Sequence, residues 1–201
     1  MYNNYKNYQQ ARDASWKILL DCGVDSLPVD VLDVARQLGV RVFSYEQGVR
    51  IIQRHKLQRI AERTDGFSFV VCGSPIVFFN AGTSRQRARF TIAHELGHIC
   101  LNHLEWNRPT VVNREPGPHD NPRETAANQF AARLLAPACV LWALDIHTPE
   151  DIARLCDISL PAARFRADRM AELYRRQRFL TSPLERKVYE QFQPFIHRQE
   201  R

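Results

Sequence analysis

From Arg85 to about His103 the chain has no proline, and Phe90, Ile92, Ala93, Leu96, Ile99 and Cys100 recur at helical spacing, which predicts one long helix. Within it stands His94-Glu95-Leu96-Gly97-His98. Helical residues four apart lie almost one above the other, so both imidazoles can reach a single metal ion. Zinc favours imidazole nitrogen and carboxylate oxygen in a tetrahedral shell, and a catalytic site reserves the fourth position for water. Glu95 projects about 100° around the helix from His94, beside the metal rather than under it, where a carboxylate can accept a proton from water activated by the metal. That geometry makes Glu95 a candidate general base in amide hydrolysis. The competing interpretation is two surface histidines on an amphipathic helix. The motif's context weighs against it, because the small residues Ala93 and Gly97 leave room for another element to approach closely.

Two histidines leave one protein ligand to find. Glu124 is the best candidate, at the start of a helix in RETAANQFAARLLAP whose Ala126, Ala127, Phe130, Ala131 and Leu134 would pack inward. Asn128, four residues on, is placed to support a ligand by a hydrogen bond to an imidazole or to Glu124 itself. Glu124 could instead be an ordinary charge near a helix N-terminus, which the dipole favours. His103, five residues beyond His98, and His119 or Asp120 in the following loop are rival ligands. His103 would point about 140° away from His98 if the helix continues that far.

Around this centre the chain reads as follows. Ala11 to Leu20 form a first helix ending near Gly23. Val29, Leu32, Val34 and Leu38 make a helical stripe closed by Gly39, and Val40 to Tyr45 form an edge strand. Phe67 to Val71 and Ile76 to Phe79 form a β-hairpin turning through Cys72 to Pro75. Leu104 to Pro122, with Pro109, Pro116 and Pro118 inside it, is an irregular loop of the length that often serves function. Helices follow at about Arg123 to Leu135, Thr148 to Cys156, Ser159 to Tyr174 and Pro183 to His197.

Hydrophobic residues at 44% and charged residues at 25% describe a globular protein rather than a disordered one. The polar start and the absence of any span-length apolar segment predict a cytoplasmic protein with no membrane partner. Five scattered cysteines without CxxC pairs suit reduced, mostly buried thiols. Trp16, Trp106 and Trp142 are best explained by packing, although Trp106 opens the loop and could line a substrate groove. A net charge of +6 admits a nucleic-acid partner, an acidic protein partner or simply a solvated basic face. TPEDIARLCDISLPAARFRADRM has a helix-turn-helix outline, with Ala153, Ile158 and Ala163 at packing positions and Arg164, Arg166 and Arg169 on or beside a reading helix. The plainer interpretation is a helical pair whose arginines face solvent. A third possibility is an interaction protein with structural zinc or none, but such a site has no use for Glu95.

Arg87-x-Arg89-Phe90-Thr91-Ile92-Ala93-His94-Glu95-Leu96-Gly97-His98 and Glu124-x-x-Ala127-Asn128-x-Phe130-Ala131-Ala132-x-Leu134-Leu135-x-Pro137 together resemble the ImmA/IrrE family of zinc metallopeptidases. A segment like Leu27 to Val40, strands like Ile76 to Asn80 and a segment like Ile158-Ser159 extend the resemblance over about Pro28 to Arg169. It implies zinc held by His94, His98 and Glu124, with Glu95 as base. Where the family often has a second acidic residue two places after the ligand glutamate, this chain has Ala126. The resemblance further implies a helix-turn-helix repressor as substrate, of phage, mobile-element or stress-response type, and makes DNA binding the less favoured alternative. The expected fold is α+β and mostly helical, with a small antiparallel sheet packed on the zinc helix. Residues 1–145 would form the peptidase core, and 146–201 a helical portion packed on it.

Overall fold

The computed structural model describes residues 2–104 and 121–199, and side chains for residues 8–104 and 121–199. His119, Asp120, Trp106 and most of the expected loop lie outside the described residues. The elements run α1 (Tyr2–Asp21), α2 (Val31–Gln37), β1 (Arg41–Ser44), α3 (Val49–Arg54), α4 (Gln58–Ala61), β2 (Gly66–Val71) and β3 (Ser74–Phe79). Then come α5 (Arg85–Cys100), α6 (Pro122–Leu135), α7 (Ala138–Ala143), α8 (Pro149–Cys156), α9 (Leu160–Arg175) and α10 (Pro183–Gln199). The class is α+β, as expected. No described helix is long and apolar enough to cross a membrane.

The three strands lie in the order β1-β3-β2. β2 and β3 form the expected hairpin, pairing Gly66 with Phe79 and Val71 with Ser74. Its turn needs only Cys72 and Gly73, at φ 49° and 79°, the double positive φ that suits the twist of a two-residue hairpin. β1 joins the edge of β3 in parallel, so the sheet is mixed rather than purely antiparallel. A parallel neighbour requires a crossover. Here α3, α4 and β2 carry the chain across.

Both faces of the sheet are covered, which is why GFSFVV and SPIVFF read as nearly unbroken apolar runs. Phe67, Phe69, Ile76 and Phe78 point to one face, where Ile52 and Leu57 complete a small core. Alternation sends the residues between them to the other face, so Val77 joins the main core and Ser68 turns toward α5. At Gly66 a Cβ would stand 2.3 Å from Thr91 Cγ2, so helix and strand meet there only because the glycine has no side chain.

The main core draws on α1, α5, α6 and the C-terminal helices alike, with Leu19, Leu96, Phe130, Leu141, Ile152 and Phe192 in one cluster. In α2 the buried residues are Val31, Val34 and Ala35, while Leu32 is 54% exposed. Of the expected stripe, Val29 and Val34 are buried and Leu38 packs against the core, whereas Leu32 faces out and Val31 and Ala35 take its place. Of the cysteines, Cys22, Cys139 and Cys156 are buried, Cys72 is exposed on the hairpin turn, and all five are free.

Candidate metal centre

The geometry of the centre follows from how α5 and α6 cross. A Cβ on Gly97 would lie 3.1 Å from Phe130 Cδ1 and 3.2 Å from both Cα and O of Ala127, so the two backbones touch. Each helix reaches this crossing from a firm start. Ser84 caps α5 by accepting from Arg87 N, and Asn121 caps α6 by accepting from Arg123 N ahead of Pro122. Arg89 ties α5 to the α8–α9 turn, donating to the carbonyls of Cys156 and Asp157 and pairing with the Asp157 carboxylate. Arg87 pairs with Asp65 before β2. These arginines of the sequence motif hold the scaffold.

Across the crossing, His94 Nε2 and His98 Nε2 lie 3.0 Å apart, and each is 3.3 Å from an oxygen of Glu124. Both imidazoles are buried, and Glu124 is partly open. For bonds of 2.0 to 2.1 Å, the edge of a zinc tetrahedron measures about 3.4 Å. The three donor atoms therefore already occupy approximately one face of such a tetrahedron.

The far sides of the rings determine where their protons sit. Asn128 Oδ1 lies 2.8 Å from His94 Nδ1 and can only accept, so the proton is on Nδ1 and the Nε2 lone pair faces Glu124. His98 Nδ1 lies 3.2 Å from His103 Nδ1. Burial and the neighbouring His98 push the His103 ring down to about 4, leaving it neutral, so that its Nδ1 can accept a hydrogen bond from His98 Nδ1–H. With that tautomer the His98 Nε2 lone pair points at the same spot. Burial alone would raise the Glu124 pKa, but hydrogen bonds and charge from His94 and His98, present when their Nε2 atoms carry the protons that a cation would displace, outweigh it and bring the carboxyl down to about 2. Two lone pairs and a carboxylate converging in a buried space suit a cation, and among the described residues these three form the candidate metal-holding group.

Glu95 is 1% exposed, and Ser68 Oγ on β2 donates to its Oε2 at 2.7 Å. Ser68 was not among the expected site residues, though a lone serine between two strand phenylalanines was its signal in the sequence. His103 was expected to point away on a longer helix. In fact α5 ends at Cys100, and Asn102 takes φ 56°. Asn102 N and His103 N then bond back to the carbonyls of Ile99 and His98, a Schellman turn that folds His103 against His98.

Residues 35–175 match the family model for the IrrE N-terminal-like domain, peptidase M78. The chain belongs to the peptidase M78 family. No curated protein matches it significantly. Membership makes the chain a metallopeptidase, and His94, His98 and Glu124 are the group it offers to a metal.

Proposed function

We propose that the chain is a zinc-dependent endopeptidase that hydrolyses a peptide bond in a cytoplasmic protein substrate, with His94, His98 and Glu124 as ligands and Glu95 as general base. The observation that carries this reading is the convergence of three donor atoms on α5 and α6, with a buried carboxylate one residue from His94. When bound, zinc supplies Lewis acidity toward the scissile carbonyl and the attacking water. Glu95 takes the proton of that water and passes it to the leaving amine. Ser68 anchors one oxygen of the Glu95 carboxylate, and burial strengthens the electrostatics around it. Asn128 and His103 hold the two imidazoles in ligand orientation. The substrate we favour is a helix-turn-helix repressor, supported by the resemblance to the ImmA/IrrE peptidases.

DNA binding through α9 is the weaker alternative. Helices α8 and α9 follow each other as that reading expects, and Arg164 is exposed on α9, but Arg166 is 6% exposed and Arg169 is part-buried, so only one of the three arginines faces outward freely. Arg166 also departs from the plainer expectation of solvent-facing arginines. The test is to incubate zinc-loaded protein with helix-turn-helix repressors and to read cleavage by mass spectrometry. Wild type should cut, whereas Glu95→Gln should keep its metal and not cut. Equal cleavage by both would refute the assignment of the base.

A further inference from the structure

A groove of about 900 Å³ runs along α6, between α5 and α9. Near the candidate metal centre its wall includes Asn128, the partner of His94, and Phe90, whose ring lies 6.4 Å from that of His94. Farther along α6 and across on α9 the same groove is lined by Arg133, Arg166 and Arg169. Arg133 and Arg166 are buried at 8% and 6% exposure. Arg133 stacks 4.4 Å above the ring of Tyr8, while Arg169 lies 5.1 Å from that ring and donates to its hydroxyl.

Among the described residues none of the three arginines forms an ion pair. Glu172, three residues beyond Arg169, makes its ion pairs with Arg175 and Arg176. Nε of Arg166 and Nε of Arg169 are buried with no hydrogen-bond partner, and so is Oε1 of Gln129 on the same wall. Burial together with the charge of Arg133 lowers Arg166 to about 10. Burial would raise the Tyr8 hydroxyl, but the pull of Arg133, Arg169 and Arg166 outweighs it and leaves Tyr8 below its ordinary value. Buried cations without a counter-ion are costly, and a guanidinium fork matches a carboxylate in shape and charge.

We propose that Arg133, Arg166 and Arg169 form a subsite for an acidic side chain, Asp or Glu, of the peptide substrate. The groove explains why the ligand is a peptide. Its wall includes Asn128 and Phe90, both beside His94, and apolar walls from Phe90, Ala132 and Ala162 lead to Phe165, 80% exposed. Arg133 follows Glu124 by nine positions, roughly 13 Å along the helix axis. An extended peptide covers that distance in about four residues, which places the acidic residue about four positions from the scissile bond. That placement rests on the peptidase reading, whereas the anion preference can be measured without cleavage.

The experiment uses zinc-loaded Glu95→Gln protein and a fluorescent, end-capped peptide of alternating Ala and Glu, compared by anisotropy with its Ala and Gln counterpart. The Glu peptide should bind at least tenfold tighter, and Arg169→Gln should abolish that advantage; Arg133→Gln replaces it if Arg169→Gln does not fold. Arg164→Gln removes the same formal charge from an exposed position on α9 and should leave the advantage intact. Equal binding of the two peptides, or an equal loss in Arg164→Gln, overturns the subsite. Inorganic phosphate binding without any preference for the Glu peptide also overturns it, by marking a free-phosphate site. An intact Glu preference in a protein that cuts nothing supports the subsite and counts against the peptidase reading alone.

Discussion

Gly97→Ala probes the contact on which the whole centre depends. The added methyl would meet Ala127 Cα and O at 3.2 Å and Phe130 Cδ1 at 3.1 Å, against a comfortable carbon contact of about 3.5 to 4.0 Å. Two of those atoms are backbone, and Phe130 is fully buried, so α5 and α6 must separate by a few tenths of an ångström. Overpacking of this kind costs about 1 to 3 kcal/mol, and replacing a helical glycine by alanine returns about 1 kcal/mol. The net loss is about 0 to 2 kcal/mol, a drop in Tm of about 0 to 8 °C. The metal is affected more strongly. Glu124 sits on α6 less than one turn before Ala127, while both histidines sit on α5, so the separation falls directly across the ligand set. Ligand distances tolerate only about 0.2 Å, and zinc affinity should fall at least tenfold. Zinc competition against a chromophoric chelator, beside thermal unfolding of the metal-free protein, separates the two effects. Wild-type affinity in Gly97→Ala would refute the claim that this crossing sets the ligand geometry.

His103→Ala and Asn128→Ala each release one imidazole from its orienting partner, and each should weaken zinc binding by about 10- to 100-fold in the same competition assay. Unchanged affinity in both would leave the rings positioned by packing alone. Ser68→Ala removes a hydrogen bond to a buried carboxylate, a contribution of about 1.5 to 3 kcal/mol, so kcat should fall at least tenfold while zinc stoichiometry holds. A drop in zinc stoichiometry instead would place Ser68 in support of the metal.

Helix α5 and its HExxH motif were legible because a proline-free stretch with apolar residues at helical spacing is a local signal. The inward face of α6 was legible for the same reason. What escaped depends on distance along the chain or on short elements. α3, α4 and α7 span four to six residues each, too few to display a helical period. The parallel pairing of β1 with β3 is a choice of partner that a strand's own pattern does not encode. Helix ends are the least certain part of any sequence reading, and overextending α5 past Cys100 sent His103 to the wrong side. Arg133 and Arg169 look like surface residues until Tyr8, from the other end of the chain, is packed against them.

Metal content by mass spectrometry on purified wild type and Glu124→Ala tests the central claim most directly. The account predicts about one zinc per wild-type chain and its loss in the variant, because the two remaining imidazoles leave the ligand set incomplete. A wild type that stays metal-free in supplied zinc, or a Glu124→Ala protein that retains its full zinc, would contradict it.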